Sequence, residues 1–164
     1  MFQRLRQLLP GLVILVAVLG VFASPHPAQG MLNYVATFQQ PNIRLDVATY
    51  SDPSKGPGKS ALLGMAAGSV KNSFAFASDE WPKLIDLTSA AARAQSSGGN
   101  WTVIGEIYET HTNDTSHLVI SAGPGIRFAL NSPQGASLTF ILASGDIPRF
   151  QQALEQVREF FAAP

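Results

Sequence analysis

The stretch from Ser73 to Leu84 reads SFAFASDEWPKL, and the stretch from Thr139 to Phe150, sixty-six positions later, reads TFILASGDIPRF. Ala, Ser and Pro recur identically. Ser73 pairs with Thr139, Lys83 with Arg149 and Glu80 with Asp146, and the large apolar positions match. Further upstream Asn33-Tyr34-Val35 aligns with Asn100-Trp101-Thr102 at an offset of sixty-seven. Two units of about 66 residues therefore fill residues 31 to 164, which is the signature of a supersecondary block duplicated once.

Each quoted stretch sits where the hydrophobic period changes. Downstream of the second, Ile147, Phe150, Leu154, Val157 and Phe161 are spaced 3, 4, 3 and 4, one stripe of an α-helix. The first shows the same stripe at Trp81, Leu84, Thr88 and Ala91. Ser78 and Ser144 stand at or near the expected N-caps, and Pro82 and Pro148 fall in the first turn, where a missing N–H is tolerated. Ahead of each helix the period is two. The second unit predicts strands near 101–109, 117–122, 126–131 and 136–142. The first predicts strands near 33–40, 43–50 and 72–77 with another within 61–70, and its longest loop runs from Asp52 to Lys59. The turns fall at 112–115, 123–125 and 132–135.

The expected fold class is α+β: two tandem β-β-β-β-α repeats, 31–97 and 98–164, packed as one pseudo-symmetric domain of antiparallel sheets with two helices. One helix covers only one face of its sheet, so an open face remains. Packing together is expected because about 66 residues bury a marginal core alone, whereas about 134 bury roughly 68 % of their unfolded surface.

The first thirty residues read differently. Arg4 and Arg6 precede an unbroken apolar run from Leu8 to Ala23, broken in strength only at Pro10, Gly11 and Gly20. This pattern predicts a secretory signal over 1–23, with cleavage after Ala23 or as late as residue 30, and a Pro-rich leader or tether over 24–30. Sixteen residues of helix span about 24 Å, short of the roughly 30 Å hydrocarbon core, so cleavage is favoured over an anchor. Membrane contact is expected only through this segment, if it is uncleaved.

With Arg4 and Arg6 removed, nine basic and eleven acidic residues remain in 134, a net charge of about −2. The 13 % of charged residues over the whole chain, none of them a clustered basic run, is the wrong supply for a protein whose affinity comes from phosphate neutralisation. The absence of cysteine excludes a disulfide framework, a thiolate metal site and a thiol nucleophile. An export signal on a cysteine-free domain points to the bacterial envelope, periplasmic or extracellular.

The strand running through Ser144 into the Phe150, Leu154 and Phe161 stripe, with its weaker copy from Ser73 to Ala92, resembles the plan of the Whirly, PC4-type coactivator and PUR-repeat group of single-strand nucleic-acid binders. The resemblance covers residues 31 to 164 in outline. It implies binding on the open sheet face by basic and aromatic side chains, here Tyr34, Trp101, Tyr108, Arg44 and Arg127, with Lys71 beside them.

Three constellations carry a chemical alternative. Residues 53–60, PSKGPGKS, nearly spell a phosphate-binding loop, but Pro53 stands where glycine is required and two prolines remove N–H donors, so a polar loop is expected. His111, Asp114 and His117 lie around a predicted hairpin tip and are the candidate metal ligands, although turn chemistry alone accounts for the segment. Ser116, Ser121, His117 and Asp114 assemble a hydrolase triad on paper, but strand neighbours point to opposite faces. The reading is an exported non-catalytic binding or assembly module without a cofactor. Its partner is a small molecule, an envelope protein or a second copy of the chain. The alternatives are a sheet-face binder of single-stranded nucleic acid or another polyanion, and a small hydrolase or metal protein.

Overall fold

Period-two alternation and the two apolar stripes become eight strands and two helices in the computed structural model, which describes residues 30–52, 58–109, 116–132 and 137–164. The expected signal, the leader up to residue 29, residues 53–57 of the phosphate-loop-like segment, and His111 and Asp114 lie outside the described residues, as do the expected turn at 112–115 and most of that at 132–135. The first unit holds β1 (Met31–Gln39), β2 (Arg44–Asp52), β3 (Gly58–Ala67), β4 (Val70–Phe76) and α1 (Trp81–Arg93). The second holds β5 (Thr102–Tyr108), β6 (His117–Ala122), β7 (Gly125–Asn131), β8 (Ser137–Ala143) and α2 (Ile147–Ala162). Each unit is a four-stranded antiparallel meander, β1-β2-β3-β4 and β5-β6-β7-β8, and the fold is the pseudo-symmetric α+β pair expected from the repeat.

Local details depart from expectation in two places. The loop expected from Asp52 to Lys59 is shorter, because Ser51 pairs with Lys59 and Asp52 with Gly58. Polar composition had hidden strand ends that the ladder satisfies. The serines do not cap the helices: Glu80 and Asp146 occupy the N-cap positions without a side-chain cap bond. Glu80 Oε2 instead accepts from the Ala77 N–H at 3.1 Å, and Ser144, in a short 3-10 turn, donates to the Pro124 carbonyl at 3.0 Å. The turn ahead of each helix moves the cap two residues on, to an acid that also faces the positive helix end.

The helices are exchanged between the sheets. α1 packs mainly on β5, β6 and β7, whereas α2 packs on β1, β2 and β3 and the two helices touch each other. Phe150 of α2, fully buried, sits edge-on to Phe38 of β1 at 5.6 Å and against Phe128 of β7 at 5.1 Å, so one ring joins both sheets. Trp81 of α1, 1 % exposed, donates its indole N–H to the Leu154 carbonyl of α2 at 2.9 Å and packs on Phe76 and Phe161. Gly105 of β5 admits Leu87 of α1 so closely that an added Cβ would lie 2.6 Å from it.

Surface contacts repeat the exchange. Arg149 of α2 donates to the Thr37 carbonyl at 3.0 Å and lies over the Phe38 ring. Lys59 of β3 donates to the Phe160 carbonyl at 3.0 Å and to Ala163 O, capping the negative end of α2. The lysine of the phosphate-loop-like segment is therefore committed to a helix terminus. Exposed charge contacts are worth about 0–1 kcal/mol each, against about 1.5–3 kcal/mol for each buried large apolar side chain, so the shared core decides the exchange.

Candidate functional groove

The core-facing residues of the first sheet are odd-numbered along β2 and β3: Leu45, Val47, Ala61, Leu63 and Met65 are buried. The even-numbered ones face away from α2, and the strand register sets them in rows. Gln39, Arg44, Ala66 and Lys71 form one row across the four strands; Thr37, Asp46, Gly64 and Ser73 form the next; Tyr34, Ala48, Leu62 and Ala75 the third. Leu32, Tyr50 and Ser60 begin a fourth. A cavity of about 600 Å³ lies over these rows, bounded on the second sheet's side by Glu109, Ser116 and Ser132. That is inside the range of roughly 300–1,000 Å³ found for small-molecule sites.

The floor is low because its centre is Gly64, flanked by Ala48, Ala66 and Ser73. Gly64 is in mid-strand, where glycine is normally unfavourable. Its backbone does not require it: among the described glycines only Gly68, in the β3–β4 turn, has a positive φ, 59°. Packing does not require it either, since an added Cβ would meet nothing nearer than Asp46 Cβ at 3.8 Å. The space above Gly64 belongs to the groove.

Asp46, 7 % exposed, is the buried charge of the groove lining. It accepts from Thr37 Oγ1 and from Arg44 Nε, both at 2.8 Å, so desolvation of the carboxylate is offset by two charge-assisted bonds, one of them an ion pair. The Lys71 side chain is exposed and has no hydrogen bond or ion pair among the described residues. A second cavity of about 560 Å³, lined in part by Gln39, Asn42 and Gly68, meets the groove at Arg44, Ala66 and Lys71.

The sequence candidates divide between the two sheets. Tyr34 and Arg44 lie in the groove, with Lys71. Trp101, Tyr108 and Arg127 lie on the outer face of the second sheet and do not reach it. There Arg127 stacks over Trp101 at 5.0 Å and donates to Ser121 Oγ at 3.2 Å, while Trp101 packs on Gly123. Tyr108 stacks on His117 at 5.3 Å and donates to Glu106 Oε2 at 2.6 Å. That bond, and then the Glu106 charge, raise the Tyr108 pKa above its usual 10.0. His117 Nε2 meets Asn131 Nδ2 at 3.1 Å, and Ser137 donates to Asn131 Oδ1 at 2.6 Å, an arrangement that makes His117 Nε2 the acceptor.

Ser121 and His117 thus bond to different partners. Among the described residues no group of three or more His, Asp or Glu is placed to hold a metal ion, and no helix is long and apolar enough to cross a membrane.

Thr37, Asp46, Gly64 and Ser73 were not singled out from the sequence. Their only signals are an acid inside the apolar run Leu45 to Ala48 and a glycine inside Leu62 to Ala66. Comparison with known proteins finds no family model and no curated protein that matches the chain.

Proposed function

We propose that the chain is an exported, non-catalytic binding module that takes a small organic ligand in the groove of its first sheet. One observation carries the reading: Gly64 costs strand stability, has no conformational or packing duty, and keeps open a groove of ligand size. Export rests on Arg4, Arg6 and the apolar run that follows them. The low charge suits a weakly charged organic ligand better than a polyanion, which would need a continuous basic track.

Saturable fluorescence of the neutral dye Nile red tests the groove. The wild-type protein should bind it at one site, and Gly64→Val should abolish the signal without lowering the melting temperature. An unchanged dye isotherm in that variant would remove the groove from the function. Mass spectrometry of the protein from its host's envelope fraction should find a chain beginning between residues 24 and 31; an intact Met1 would contradict cleavage.

A further inference from the structure

The rows over the groove floor differ in chemistry from one end to the other, and this grading names a ligand class. At one end Arg44 and Lys71 flank Ala66, each one strand away, with sheet spacing of about 4.8 Å per strand. The middle row sets Asp46 and Ser73 on either side of Gly64, with Thr37 beyond Asp46 and bonded to it. The far end is apolar: Ala48, Leu62 and Ala75, continued by Tyr34 and Leu32, which are 60 % and 45 % exposed.

We propose that the occupant is a free amphiphilic organic anion, an acyl carboxylate of medium length or a molecule of that shape, with its head between Arg44 and Lys71 and its tail along Leu62 toward Leu32. This rests on the groove being a ligand site. Four residues separate Ala66 from Leu62 along β3, about 14 Å of strand, and decanoate is a probe of matching length.

The charge balance supports one head group. Asp46 already holds Arg44 Nε and Thr37, which leaves Lys71 as the groove's cation without a side-chain partner among the described residues, and the outer part of Arg44 accessible. Glu109 lines the groove from the second sheet and already has an interaction partner. The second cavity opens at the same two cations and gives room for a head larger than a carboxylate. A single cationic end against an apolar end selects a molecule with the reverse grading, and offers a polyanion no second foothold.

Titration calorimetry of the mature protein with decanoate, decanol and decyltrimethylammonium, below their micelle concentrations, tests this. Decanoate should bind one-to-one and about tenfold more tightly than decanol, with the cationic amphiphile weakest. Lys71→Gln, at an exposed position, should remove about tenfold from the decanoate affinity and leave decanol unchanged. Equal affinities for decanoate and decanol, or a Lys71→Gln variant that binds both as the wild type does, would overturn the head-group assignment. If Gly64→Val still abolishes decanol binding in that case, the groove remains the ligand site. If it affects none of the ligands, the groove reading fails as well. Sedimentation with phosphatidylglycerol vesicles, without binding of free decanoate, would also overturn the proposal by placing the anion in a membrane surface.

Discussion

Replacing Trp81 by Phe should cost about 2 kcal/mol and should do so without dividing the unfolding transition. Trp81 is 1 % exposed, and its indole N–H is bonded at 2.9 Å to the Leu154 carbonyl, seventy-three residues away on the other helix. A phenyl ring keeps the edge contact with Phe76 but loses the donor, and a net hydrogen bond is worth about 1 kcal/mol. The smaller ring leaves a void of roughly 40 Å³, which at about 24 cal/mol per Å³ adds about 1 kcal/mol. Urea unfolding followed by far-UV circular dichroism is the assay, since fluorescence would report the deleted indole itself. With a slope of about 2 kcal/mol per molar, the midpoint should fall by about 1 M and the slope should not change. A loss below about 0.5 kcal/mol would refute the claim that this contact ties the helices. A biphasic curve in either protein would refute the shared core, because it would mean that one repeat unfolds without the other.

Two glycines should respond in opposite directions. Gly64→Ala should raise stability by about 0.5–1 kcal/mol, because the added methyl has room; a lower melting temperature would show that packing demands the glycine. Gly105→Val should lower it by about 1–3 kcal/mol, because the new side chain meets Leu87 of α1; an unchanged melting temperature would contradict the close approach of helix and strand. The Tyr108 phenol should titrate above 10.0 in ultraviolet difference spectra taken against a Tyr108→Phe variant, and Glu106→Gln should bring it back toward that value. Its folded pKa is raised, so the bond to Glu106 is present below 10.0 and is lost as pH rises through the folded value; a titration at or below 10.0 would contradict the bond.

Most of the elements were legible because their signals are local. The spacing of Ile147, Phe150, Leu154 and Val157 predicts a helical stripe, and all four are buried. The alternation of Ile126, Phe128 and Leu130 against Arg127 and Ala129 predicts a half-buried strand, and those three apolar side chains are fully buried. Caps and strand ends were less legible. Ser78 is as good a cap by composition as Glu80, and only the turn before α1 decides between them. The candidate site was half legible. Tyr34, Arg44 and Lys71 share the groove as basic and aromatic residues of an open face, but Trp101, Tyr108 and Arg127, chosen on the same grounds, sit on a different sheet.

The duplicated β4α plan is readable without any tertiary contact, because the repeat and both hydrophobic periods are properties of neighbouring residues. The tertiary structure decided which sheet each helix covers. That choice is made by contacts between residues far apart, such as Trp81 with Leu154 and Arg149 with Thr37, whose cost in chain entropy and gain in burial no window of sequence contains. It also decided where the groove lies. With α2 laid over the inner face of the first sheet, the even-numbered residues of β2 and β3 are turned outward together, and an acid, a glycine and two cations that are unremarkable one by one become the graded floor of a single cavity.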